Sequence, residues 1–120
     1  MQKAQKSDLQ ELQVLVNRAD FVAMSKGTKW VSHGLILQVL PNDTGQTRFG
    51  ITVTKKTEKS AVKRNRIKRR LRAVAADVLP FDAAPSHDYV LIGRNLTAIR
   101  PYTELVSDLK WCLRKLEKTR

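Results

Sequence analysis

The chain has 120 residues, 42% of them hydrophobic, and its 23 Lys+Arg against 11 Asp+Glu give a formal net charge of +12. That length fits one domain around one core, and that composition excludes a mainly disordered chain. The single cysteine, Cys112, excludes an internal disulfide, and no apolar run approaches the ~18 residues a membrane-spanning helix needs. The N-terminus also lacks the apolar stretch of a secretory signal. The expectation is therefore a cytoplasmic protein that meets nucleic acid and no membrane. A membrane-surface binder is the weaker rival, because it needs a large apolar face beside the basic one.

Residues 1–14 are read as a flexible N-terminal segment and residues 15–120 as a single domain. Leu9, Leu12, Leu15 and Val16 offer apolar contacts should the segment fold back. From Asn17 to Gly27 the pattern is that of a short helix, capped by Asn17, with Asp20 in its first turn and Gly27 at its exit. Phe21 and Met24 lie three apart and share a face. Either both are core, or Phe21 is partly open beside a binding surface.

Residues 28–40 read as strand in two pieces, broken near Ser32-His33-Gly34. Leu35, Leu37 and Val39 fall on one face, Ile36 and Gln38 on the other. A turn cluster from Pro41 to Gly45 follows. In the strand from Thr47 to Thr54, Phe49, Ile51 and Val53 oppose Arg48, Gly50, Thr52 and Thr54. This predicts an antiparallel pair with one buried face and one open face of small and polar residues, a groove floor without bulky side chains.

The stretch from Lys55 to Arg72 holds ten Lys+Arg and one acid, Glu58, so most of the net charge is concentrated there. Ser60 caps a helix expected from about Ala61 to Leu79. Ile67, Leu71, Val74, Ala75 and Val78 repeat with the helical period and form its buried stripe. Asn65, Lys68, Arg69 and Arg72 cluster opposite that stripe. Arg66 borders them, and Arg64 and Arg70 flank the apolar seam. The charge is thus the outer face of a packed helix and not a tail. Pro80 and Pro85 are expected to end the helix and frame a loop. The apolar run from Asp88 to Ile92 predicts a central strand. A last helix begins near Pro101, with Leu105, Leu109, Cys112, Leu113 and Leu116 as its stripe. The element order is α-β-β-β-α-β-α, an α+β domain.

No catalytic constellation accompanies this pattern. The acids are scattered, His33 and His87 sit in a strand break and a loop, and Cys112 lies on an apolar stripe. Neither a phosphate-binding glycine loop nor a zinc spacing is present. Cations crowded on one helix face repel one another unless a polyanion is near, and phosphate contacts of this kind make affinity fall steeply with salt. A strand, not a helix, precedes the basic helix, which disfavours a helix-turn-helix. A basic helix beside a small-residue sheet face suits single strands or an RNA backbone.

The run Arg48-Phe49-Gly50-Ile51-Thr52-Val53-Thr54-Lys55-Lys56, followed by Ala61-Val62-Lys63-Arg64-Asn65-Arg66-Ile67-Lys68-Arg69-Arg70-Leu71-Arg72, closely resembles the bacterial ribonuclease P protein component. Arg64-Asn65-Arg66 is similar to that family's RNR signature. The resemblance spans roughly residues 15–116. It implies an αβββαβα two-layer sandwich, with a four-stranded sheet and a left-handed βαβ crossover, as in a ribosomal protein domain. It implies an RNA-binding subunit of the endonuclease that removes 5′ leaders from precursor tRNA, in which a catalytic RNA uses Mg2+ for hydrolysis and the protein binds no cofactor. Lys55, Lys56, Lys63, Arg64, Asn65, Arg66, Lys68, Arg69 and Arg72 would then face RNA. Phe21, Ile36, Gln38 and Thr52 would line a cleft for the leader. Gln38 and Ser25 stand where relatives often carry aromatics, and the loop from Thr57 to Ser60 is a residue longer than usual. A structural RNA-binding protein of ribosomal type and a self-sufficient nuclease are the alternatives.

Overall fold

Seven residues from His87 to Gly93 organise the sheet, because five of them are buried. The structure, a computed structural model, describes residues 12–15 and 18–119. Its strands are β1 (Leu12–Val14), β2 (Thr28–Val31), β3 (Leu35–Pro41), β4 (Thr47–Thr52) and β5 (His87–Gly93). Its helices are α1 (Arg18–Ala23), α2 (Ala61–Asp82) and α3 (Tyr102–Thr119), with 3-10 turns at Met24–Lys26 and Asn95–Ala98. The sheet order is β1-β4-β5-β3-β2. β5 runs antiparallel to β3 and parallel to β4, so α2 is the crossover between neighbouring parallel strands.

Three details differ from the sequence reading. First, β3 and β4 do not pair. β5 lies between them, because its side chains are apolar on both faces and an inner position buries both. Second, the four expected strands gain a fifth: β1, inside the segment 1–14 read as flexible, pairs in parallel with β4. Free backbone groups on the outer edge of β4 supply its partners, and the Leu15 N–H extends the ladder to the Phe49 carbonyl at 2.8 Å. Third, α2 runs through Pro80 to Asp82 instead of ending there. The Ala76 carbonyl that Pro80 leaves without a partner is on an exposed turn, and Ala83 N–H still bonds the Leu79 carbonyl at 3.0 Å. The expected Asn17 cap lies outside the described residues.

The main core fills the space between one sheet face and the two long helices. Leu35, Leu37, Val39, Tyr89 and Leu91 meet Ile67, Leu71, Val74 and Val78 of α2 and Leu105, Leu109 and Cys112 of α3. Burial of each such aliphatic side chain contributes about 1.5–3 kcal/mol. Gly93 marks how closely α2 approaches: a Cβ there would lie 2.6 Å from Ile67 Cγ2. A second, smaller cluster on the opposite sheet face joins Leu15, Met24 and Val90, with Phe21, Leu40 and Ile92 packed around it.

Candidate nucleic-acid interface

Ser60 begins the basic helix as its sequence suggests. Its side chain accepts the Lys63 N–H at 3.3 Å. Arg64 turns back over the same end, donating from Nη1 to the Glu58 and Lys59 carbonyls, each at 2.8 Å. That holds the preceding loop against the helix. Lys55 and Lys56 are exposed in the turn that opens this loop, where the Thr57 and Glu58 N–H groups both bond the Thr54 carbonyl at 3.1 Å. Along the helix, Lys63, Asn65, Arg66, Arg69 and Arg72 are exposed, and Arg64 and Lys68 are half-buried. Among the described residues, every ion pair uses Arg48 or Arg100. The α2 cations are therefore not neutralised by neighbouring acids.

Arg70 behaves differently from its neighbours. It reaches across to the loop before α3 and donates to the Ala98 carbonyl at 3.4 Å and to the Arg100 carbonyl. Tyr102 at the start of α3 donates to Asp77 of α2, and desolvation with this carboxylate pushes the phenol up to about 12. Between these contacts, Arg66, Arg69, Arg70, Ala73 and Tyr102 line a shallow groove of about 380 Å³. It extends the basic face of α2 onto α3.

The other candidate residues occupy the opposite sheet face. Strand register aligns Ile36, Ile92 and Thr52 in one row across β3, β5 and β4, and Gln38, Val90 and Gly50 in the next. Phe21 of α1 lies directly over Gly50, where a Cβ would come 2.7 Å from Phe21 Cζ. Phe21 itself stays half-exposed while Met24 is buried, so the two readings of this helix each hold for one residue. The face is less bare than the small residues suggest, because Leu15 and Met24 cover Val90. The uncovered part runs along Ile36, Gln38 and Thr52, all half-exposed. Ser25, in the 3-10 turn that follows α1, is exposed and donates to the Val22 carbonyl at 3.0 Å.

Two features of this face escaped sequence reasoning. Arg48 grips Asp88 through Nε and Nη2, at 2.8 and 2.7 Å, and touches Asp20 of α1 at 3.3 Å. The bond to Asp88 holds the Arg48 guanidinium charged beyond its usual range. Asn42 completes the set with a 2.8 Å bond to Asp88. This network ties α1, β4 and β5 together and sets where Phe21 sits. The only signal was an acid, Asp88, at the mouth of an apolar run. Lys29 is the second feature: it pairs with Gln38 and stands exposed at the end of the same row. Its signal was a cation alternating with Trp30 in an edge strand.

Residues 9–117 match the family model described as Ribonuclease P. The chain belongs to the ribonuclease P protein component family. It is 43% identical to the ribonuclease P protein component of Paramagnetospirillum magneticum, over 88% of this chain and 85% of that one. It is 45% identical to that of Gluconacetobacter diazotrophicus, over 84% and 88% of the two chains. The fold is similar to the ribonuclease P protein of Thermotoga maritima, with a TM-score of 0.72 at 22% identity over 86% of this chain and 96% of that one. Membership makes the chain an RNA-binding subunit of the endoribonuclease that processes tRNA 5′ ends. Among the described residues, no three His, Cys, Asp or Glu side chains gather in a way that could hold a metal. No described helix is long and apolar enough to cross a membrane.

Proposed function

We propose that the outer face of α2 docks on the catalytic RNA of ribonuclease P while the opposite sheet face holds the 5′ leader of precursor tRNA. The observation that carries this reading is the row of un-neutralised cations on α2, fixed in place by a buried apolar stripe on the same helix. A preformed cationic face meets RNA phosphates without first ordering itself. Lys55, Lys56, Lys63, Arg64, Asn65, Arg66, Lys68, Arg69 and Arg72 supply these contacts. Arg64 does so from a position where one of its nitrogens already holds the loop. Phe21 offers a ring for a leader base, and Ile36, Gln38 and Thr52 form the floor beside it. Stacking on one aromatic is worth about 1–3 kcal/mol per base.

In this reading Mg2+ belongs to the RNA subunit. The RNA performs the hydrolysis; the protein positions substrate and screens phosphate repulsion where the metals bind. The site of action is the bacterial cytoplasm. The test adds the chain to a ribonuclease P RNA with precursor tRNA at low magnesium. Stimulated 5′ cleavage is expected, with none when the RNA subunit is left out. Absence of stimulation overturns the proposal, as does cleavage by the chain alone. Within the same assay, Arg66→Ala should weaken catalytic-RNA binding and flatten its salt slope by ~0.7–0.9 for a lost phosphate contact.

A further inference from the structure

Away from both surfaces, the turn between β2 and β3 leans over α3 and leaves an open groove of about 680 Å³. Val31, His33, Arg94, Asp108, Trp111 and Arg114 line it. Its walls are preformed. Arg94 Nη1 donates to the Ser32 carbonyl, and Thr97 Oγ1 donates to the Gly34 carbonyl. The turn presses so closely on α3 that a Cβ on Gly34 would lie 2.6 Å from Leu105 Cδ2. Trp111 is braced edge-on against Trp30, with ring centroids 6.3 Å apart, yet remains 37% exposed.

The charge of this groove is one-sided. Asp108 is its only acid, and Arg100 occupies both its oxygens, at 2.6 and 3.1 Å. Arg114 is exposed and makes no ion pair among the described residues. Lys115 Nζ stands 5.6 Å from the centre of the Trp111 ring, a cation–π contact. An exposed indole among cations fits a nucleotide: the base stacks on the ring, and the cations meet the flanking phosphates. Only an unpaired base can reach such a ring.

We propose that this groove binds an unpaired nucleotide of the same catalytic RNA that docks on α2. A base would take the place of the Lys115 ammonium over Trp111, and the ammonium would move to the adjoining phosphate. Geometry favours this RNA over the leader. The groove and α2 share the helix layer, whereas the leader face is on the other side of the sheet. The groove bounded by Arg66, Arg69 and Tyr102 already carries the basic surface onto α3. Tyr102 and Trp111 are about 14 Å apart along α3 and on opposite sides of it, one facing α2 and the other β2, so the RNA would cross the outer face of the helix past the exposed Lys110 and Arg114.

The inference rests on the docking role proposed for α2, and its test separates the two. Arg114→Glu, Trp111→Ala, Trp111→Phe and Arg66→Ala are each titrated with ribonuclease P RNA, and each is assayed for its preference for leader-bearing over leaderless tRNA. Arg114→Glu should weaken binding to the catalytic RNA about tenfold and flatten the salt slope by ~0.7. Trp111→Ala should weaken it about tenfold, and Trp111→Phe should retain most of the affinity. Leader preference should be unchanged in all three groove variants. Arg114 is exposed, so its variant keeps the test decisive even if Trp111→Ala unfolds. Wild-type affinity for Arg114→Glu beside a weakened Arg66→Ala overturns the groove alone. A loss confined to leader preference overturns the choice of RNA. Failure of the wild-type chain to bind the catalytic RNA overturns both proposals.

Discussion

Phe21 and Gly50 show how a single missing side chain positions a residue of the proposed leader face. The Phe21 ring rests on Gly50 because no Cβ intervenes; a methyl there would lie 2.7 and 2.8 Å from two ring carbons. Gly50→Ala must therefore push the ring off the sheet or bend α1, at about 1–3 kcal/mol for an overpacked contact. It should lower the preference for leader-bearing tRNA and leave catalytic-RNA affinity intact. An unchanged preference in leader and leaderless assays would show that the ring's seat does not matter. Cys112 offers a test of the core at the same scale. Burial pushes its thiol from 9.0 up to about 11. The folded state then holds this proton more tightly than the unfolded chain, so the associated stability is intact below pH 9 and is lost as pH rises through 11. The stability margin of the wild type over Cys112→Ala, measured by urea unfolding, should narrow across that window. A margin that stays constant with pH would mean that the thiol is not desolvated.

Helix α2 divides its arginines between two jobs, and neighbours in sequence fall on different sides. Arg69 projects to solvent, whereas Arg70 ties down the Ala98 and Arg100 carbonyls before α3. Arg70→Ala leaves those carbonyls without their donor, a loss of roughly 1–3 kcal/mol. It should lower the unfolding midpoint while leaving the salt slope of RNA binding nearly unchanged. Arg69→Ala should do the reverse, keeping stability and losing ~0.7–0.9 of slope. Paired denaturation and salt titrations of the two variants distinguish these outcomes; identical behaviour would contradict the division. This division was half legible in the sequence, since the helical period places Arg70 beside the apolar seam and Arg69 opposite it. The alternation in β3 and β4 fixed which residues share a face for the same reason: a long periodic pattern has only one good burial. What escaped were features that depend on a neighbour supplied from elsewhere in the chain. β1 is three residues long, too short for any period, and its pairing exists only because β4 has a free edge. Pro80 was a fair stop signal, but Leu79 and Ala83 are buried on either side of it, and tertiary packing carries the helix on. The insertion of β5 between β3 and β4 followed from its two apolar faces, yet adjacency in sequence argued for a hairpin.

At the scale of the whole molecule, the sheet separates the two proposed binding surfaces. The main core backs α2 and its cations, and the smaller cluster of Leu15, Met24 and Val90 seats α1 and Phe21. Val90 faces one cluster while Tyr89 and Leu91 face the other, so alternate residues of a single strand support each side. Arg66 and Phe21 are on opposite sides of a packed sheet whose two clusters share no buried residue. Effects on such sites add to within about 0.3–0.5 kcal/mol. The double variant Arg66→Ala with Phe21→Ala should therefore lose catalytic-RNA affinity as Arg66→Ala does alone and leader preference as Phe21→Ala does alone. Transition-state free energies from cleavage of leader-bearing substrate should equal the combined losses of the two single variants. A coupling of 1 kcal/mol or more would mean that docking on the RNA reshapes the leader face, and β5 would be the strand to carry it. The physical case for independence is that neither surface has a hinge in the sheet: β4, β5 and β3 pair continuously from Arg48 to Thr52 and from Leu35 to Pro41. In the proposed arrangement, a subunit built in this way would grip its RNA partner with one side and present the other to the substrate.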